Sequence, residues 1–137
     1  MGPLFTETIT LYNHWRRGRE ESWTRTVICG VQVRQSVKHE FDNGKSLRLT
    51  ETSITIPVNA DAGDRNYYRK PSEYAGTGWT LNPDDGQDLV VLGACVQEIG
   101  AGYTVDALIK EHGALTLTAA ADNTHRPRLR HWKAVCA

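Results

Sequence analysis

Any chemistry in this chain of 137 residues has to come from its reactive side chains, and their spacing argues against a catalytic or metal centre. The five histidines are His14, His39, His112, His125 and His131; none pairs at i, i+4, the spacing that sets two imidazoles on one helical face. His125 and His131 could meet across the last turn, but no third ligand accompanies them, so neither a metal nor another cofactor is expected. The three cysteines, Cys29, Cys95 and Cys136, are widely separated and sit among apolar neighbours, which reads as buried, reduced thiols within strands. Without a Cys-x-x-Cys pair a zinc ribbon is excluded. The chain has no Gly-x-Ser-x-Gly elbow for a nucleophile. It also lacks Gly-x-x-x-x-Gly-Lys and Gly-x-Gly-x-x-Gly, and Gly100-Ala101-Gly102 is not followed in register by a residue that would hold a phosphate. The carboxylates gather at Glu20-Glu21, Asp61, Asp64 and Asp84-Asp85, where turn chemistry alone would place them. The inventory points to a protein that is not an enzyme.

Two groups of residues remain, and both suit binding. Positive charge is concentrated at Arg16, Arg17 and Arg19, and again in His125–Lys133, where Arg126, Arg128 and Arg130 alternate and on a strand would share a face. Such a stripe either guards an edge strand against aggregation or faces an acidic partner or a DNA backbone. Tyr67, Tyr68, Arg69, Lys70, Tyr74 and Trp79 form the second group, either an interface arm or a loop pinned to its own core. Lys plus Arg equals Asp plus Glu at 16 each. A net charge of zero lacks the basic excess of most phosphate-binding proteins and does little to keep copies apart.

The elements that must carry these groups are mostly strands. Period-two alternation runs through Thr8–Tyr12, Ser22–Lys38 and Ser46–Val58. In the second run Val27, Cys29, Val31 and Val33 share a face, and Gly30 predicts a bulge or a bend, as at a barrel corner. Trp15–Glu21 reads as a polar hairpin loop, Asn43-Gly44 as a tight turn, and Pro57 as a strand end or an edge position. Residues 59–87 form one long loop without periodicity, in which Pro71 could open a short helix. Asp88–Ile99 reads as a strand buried on both faces, and Thr104–Gly113 as a capped helix of about two turns. Ala114–Ala121 and Leu129–Cys136 read as the closing strands. The expected fold is a single mainly-β domain over 1–137, a small antiparallel barrel or sandwich of five to six strands with one short helix. The N-terminus has no signal-peptide pattern, and no run reaches the roughly 18 apolar residues of a spanning helix, so no membrane partner is expected.

Several short runs carry a resemblance over nearly the whole chain. They are Thr10-Leu11-Tyr12-Asn13, Arg25-Thr26-Val27-Ile28 with Gly30-Val31, Ile54-Thr55-Ile56-Pro57, Lys70-Pro71-Ser72-Glu73-Tyr74, Gly78-Trp79-Thr80-Leu81-Asn82-Pro83, Gly93 and His131-Trp132. Together they resemble small proteins encoded among the structural genes of phages and prophages of Gram-positive gut bacteria. The order of elements is similar to that of head-completion, or stopper, proteins of long-tailed phages. The chain departs from the pattern at Asp85-Gly86-Gln87-Asp88, where Gly-Asp usually leads into the strand, and in an ending one residue out of step. The resemblance implies a virion protein of the head–tail interface, made in the host cytoplasm. It implies a hexameric or dodecameric ring of self-contacting copies, with portal or adaptor above and tail terminator or tail tube below. Packaged DNA would lie close by, and loop 59–87 and the two basic segments would be its docking or channel-facing parts. A tail terminator or another neck subunit fits the same resemblance. Two other readings stay open from the residues: an OB-like nucleic-acid-binding barrel using Tyr67, Tyr68 and the Arg126–Arg130 stripe, and a metal-dependent cupin-like enzyme.

Overall fold

The computed structural model describes residues 5–42, 44–63, 67–84, 86–100 and 102–137, with only the backbone described at 38–42 and 45–49. Seven elements follow in order: β1 (Glu7–Arg17), β2 (Glu20–Asp42), β3 (Lys45–Pro57), β4 (Leu89–Leu92), α1 (Val105–His112), β5 (Leu115–Asn123) and β6 (His131–Cys136). All strand pairs are antiparallel, and the order β1-β2-β3-β6-β5-β4 closes back onto β1. The fold is thus a six-stranded barrel rather than a sandwich. No helix among the described residues is long and apolar enough to cross a membrane.

A single glycine sets the phase of β2. Glu7 pairs with Val31 and Thr8 with Cys29, so Gly30, at φ 86°, is the extra residue of a bulge. Because side chains alternate, one inserted residue reverses which face each position occupies. Before the bulge Ile28 enters the barrel, and after it Val31 does. The expectation that Val27 and Cys29 share a face with Val31 and Val33 is therefore corrected, and Cys29 is exposed. The barrel interior holds Ile9, Leu11, Ile28, Val31, Ile54, Ile56, Val90 and Leu117.

A second core lies outside the barrel. Tyr12, Leu89 and Val91, on the outer face of β1 and β4, pack with Cys95, Leu108 and Ala114 beneath α1. Thr104 caps this helix by accepting from the Ala107 amide, and Gly113, at φ 66°, ends it by donating to the Ile109 carbonyl. The strand expected over Asp88–Ile99 stops at Leu92, and Cys95 lies outside any strand. Gly93, at φ 97°, turns the chain, and Thr10 then holds it: its hydroxyl donates to the Gly93 carbonyl and accepts from the Cys95 amide, both at 2.8 Å. Tyr12 donates to the Gln97 carbonyl at 2.5 Å, and burial pushes its phenol pKa up.

Two hairpins differ from the sequence reading. The loop expected over Trp15–Glu21 shrinks to Gly18-Arg19, since Arg17 already pairs with Glu20. The β2–β3 hairpin is longer than the barrel needs. Its Asn43 lies outside the described residues, while Asp42 and Lys45 pair directly. β2 leaves β1 after Val31 and β3 meets β6 from Thr52 onward, so among the described residues the seven pairs from Ser36↔Glu51 to Asp42↔Lys45 have no third strand beside them. At about 3.3 Å per residue this ribbon is roughly 23 Å long.

Among its described residues loop 59–87 forms no helix or strand, and the helix expected at Pro71 is only a turn, with the Glu73 amide donating to the Lys70 carbonyl. Tyr74 turns into the core there, and Gly76, at φ 85°, redirects the chain before a helical turn can repeat. The loop is fastened at its far end by Asp88, which is fully buried. Its carboxylate accepts from Asn13 Nδ2 at 2.9 Å, the His14 amide at 2.9 Å and the Asn82 amide at 3.0 Å. Asn13 completes the bracket with the Thr80 carbonyl at 2.6 Å and the Thr80 amide at 3.1 Å.

Removing that carboxylate takes the acceptor from two buried donors and one half-buried donor, a buried donor left unpaired costing about 1–3 kcal/mol. Asp88→Ala is expected to lower unfolding free energy by roughly 4 kcal/mol in urea denaturation, with Asp88→Asn milder. Thiol alkylation of the native protein is expected to label Cys29 alone. Cys95 and Cys136 are buried, burial pushes the Cys136 thiol up to about 12, and both should react only after denaturation.

Candidate interaction site

Two neighbouring hollows form around the end of β3 and the start of β6. Pro57 ends its strand, and the Val58 amide reaches the Arg130 carbonyl at 3.1 Å, tying the β3 exit to the β5–β6 turn. The larger hollow, about 550 Å³ and open to solvent, is lined by Phe5, Gln32, Thr55, Val58, Leu129 and Arg130, among others. It lies on the outer face of β2 and β3, since Gln32 pairs with Thr55 while Val31 and Ile54 fill the interior. The smaller, about 250 Å³, shares Val58 and adds Ala60, Tyr67, Tyr68, Trp79 and Trp132.

Leu129 is the unusual residue. It is 74% exposed and sits at φ 53°, in the left-handed region that costs an ordinary side chain roughly 1–2 kcal/mol. The turn around it imposes this shape: Arg130 Nε donates to the Arg126 carbonyl at 3.0 Å, and His131 Nδ1 lies 2.6 Å from the Leu129 carbonyl. Leu129 thus holds an apolar side chain in water at the rim of an apolar hollow, on a backbone conformation that disfavours it.

Behind this rim stands an aromatic stack. Tyr68 lies 5.1 Å from Trp79 and 4.7 Å from Trp132, ring centre to ring centre, and the two tryptophans are 5.0 Å apart. Burial raises the Tyr68 phenol pKa, and the Asp122 carboxylate adds to the shift. Asp122 is itself held below the usual carboxylate range, first by the Thr124 hydroxyl and more weakly by His125 and Lys70.

The residues expected from sequence to share a role are divided between places. Tyr67, 66% exposed, and Tyr68 join the Arg130 end of the basic turn at these hollows. Tyr74 and Trp79 are buried and expose little surface, Trp79 at the back of the smaller hollow. Arg69 and Lys70 are exposed on the loop between them. Arg126, Arg128 and Arg130 do not form a strand stripe, because β6 begins only at His131 and the turn contains Pro127 and the left-handed Leu129. All three are exposed on that turn. His131 does not face His125; its Nε2 meets Asn123 Nδ2 at 3.2 Å. Arg16 lines a different hollow with Trp15, Pro71 and Tyr74, and Arg17 and Arg19 are exposed on the first hairpin. Sequence reasoning missed Phe5, Val58 and Leu129. Pro127, two residues before Leu129, was the signal against a strand there.

Among the described residues no group of three or more His, Cys, Asp or Glu is placed to hold a metal ion. What the hollows offer is apolar area, aromatic faces and guanidinium groups, the side chains that anchor macromolecular contacts.

The pocket depends on one glycine. A Cβ on Gly78 would sit 2.2 Å from the Tyr67 carbonyl oxygen, and its φ of 80° disfavours any side chain. Gly78→Ala is expected to lose about 2 kcal/mol or more of stability and to shift tryptophan fluorescence, as the Trp79–Trp132 stack is displaced. A spectrum identical to wild type would show that the loop adapts.

Searches among curated proteins and among solved structures find no match. A family profile, described as a family of unknown function (DUF6751), matches residues 4–137, nearly the whole chain. This barrel with its wrapped loop and basic turn belongs to that family, DUF6751.

Proposed function

We propose that the protein is a structural assembly subunit of a tailed-phage neck, the head-completion or stopper ring between the portal-adaptor and the tail. The observation that carries the assembly reading is the β2–β3 ribbon, seven residue pairs with no third strand beside them among the described residues. A two-stranded ribbon is marginal in water by itself, so an arm of this length is best explained by neighbours that cover it. The exposed apolar rim at Leu129, Val58 and Tyr67 supports the same reading. The phage setting rests on the resemblance carried by the short sequence runs from Thr10-Leu11-Tyr12-Asn13 to His131-Trp132. In this reading the barrel is the ring body, and the ribbon takes the role of arm that the sequence suggested for loop 59–87. Retaining packaged DNA requires a stack of rings, each creating the surface that the next recognises, and no covalent step. A tail terminator would use the same parts.

The test is to tag the protein in a phage-producing cell, purify intact particles and tail-less heads, and identify co-purifying proteins by mass spectrometry. The expected outcome is stoichiometric presence in particles, with portal or adaptor in the pull-down. A protein free in the lysate and absent from particles would overturn the neck reading. Salt-dependent binding to single-stranded DNA would then favour the nucleic-acid-binding barrel.

A further inference from the structure

The chain's zero net charge conceals an uneven distribution. Arg126–Arg130 holds three exposed arginines and no carboxylate, beside the apolar rim of Leu129 and Val58. A second exposed apolar surface lies along the β4–α1 connection and the helix. Val96 there is 88% exposed and Ile109 39% exposed. Around it stand three exposed carboxylates, Glu98, Asp106 and Glu111, against two bases, Lys110 and Arg25, whose guanidinium donates to the Cys95 carbonyl at 3.0 Å.

The barrel places these two surfaces on opposite walls. In the cyclic order β1-β2-β3-β6-β5-β4, β4, from which the connection to α1 leaves, stands across from β3, which borders the groove. A surface and its complement on opposite walls of one subunit join copies head to tail, and head-to-tail contacts close into rings when the rotation permits.

We propose that the occupant of the Leu129 groove is a second copy of this chain, which inserts the acidic, apolar surface of its β4–α1 connection and α1. This rests on the assembly reading above and names the contact that builds the ring. Leu129 and Val96 are the apolar anchors. The arginines and the carboxylates around them set which wall meets which.

The experiment uses the full-length chain in native mass spectrometry and sedimentation over a range of concentrations. Wild type is expected to self-associate. Leu129→Gly removes the anchor but accepts the left-handed backbone, so it should fold with unchanged or higher stability and associate roughly tenfold or more weakly. Val96→Asp should weaken association similarly while thermal unfolding stays unchanged. Arg128→Glu and Glu98→Arg should each weaken it alone. Their equimolar mixture should restore it, because alternating copies then match at both walls. An oligomer whose affinity is unchanged by Leu129→Gly and Val96→Asp would overturn this contact and leave the neck reading intact. A wild-type chain that stays monomeric throughout would also overturn it, while presence in particles decides the neck reading separately. Failure of the mixture to restore association would remove the assigned pairing of walls.

Discussion

The buried bracket between Asn13 and Asp88 is the interaction on which the rest of the arrangement depends. A carboxylate without exposure survives inside a protein only if hydrogen-bond donors surround it, and here two backbone amides and a side-chain amide do so. The bracket joins three stretches of chain: the middle of β1, the later part of the long loop at Thr80–Asn82, and the residue just before β4. The Asp88 carbonyl also accepts from the Leu117 amide, which extends the tie to β5. Closure of the barrel therefore passes through this one residue. β4 and β5 share only two residue pairs, so a seam this short relies on the bracket beside it.

From that seam the two surfaces follow. Because β4 ends after four residues, the chain is free to wrap outward, and Thr10, Tyr12 and Arg25 hold it on the outside of β1 and β2. The wrap brings Val96 and α1 to one wall. On the other side the loop is drawn inward at Tyr74, Trp79 and Leu81, which fills the barrel end and leaves Tyr67 and Val58 outside. The long segment that looks from sequence like an arm is thus anchored by buried residues at Tyr74 and Gly78–Leu81, while most of its described residues stay exposed. A loop can be aromatic because it binds or because it is itself buried, and burial decides between the two.

Much of the architecture is legible in the residues alone. Period two in three long runs, the bulge at Gly30, the end of β3 at Pro57 and both caps of α1 at Thr104 and Gly113 depend on local backbone preferences. The mainly-β class and the single short helix follow from these local signals. So does the loop character of 59–87, whose Gly, Asp, Asn and Pro content leaves no periodic face to bury.

Only the tertiary structure decided the rest, because it depends on contacts between distant parts of the chain. Closure into a barrel joins β1 to β4 across nearly eighty residues, and no local pattern encodes that partner. The burial of Trp79 against Trp132, and of Asp88 against Asn13, is likewise invisible until both partners are placed. The alternation of Arg126, Arg128 and Arg130 promised a shared strand face. Pro127 and the left-handed Leu129 made it a turn instead, and so turned an expected charged edge into the rim of an apolar groove. Sequence determined which segments can be strand, helix or turn, since those choices are settled within a few residues. Which surfaces remain exposed, and on which wall of the barrel, was settled only when the strands closed on one another.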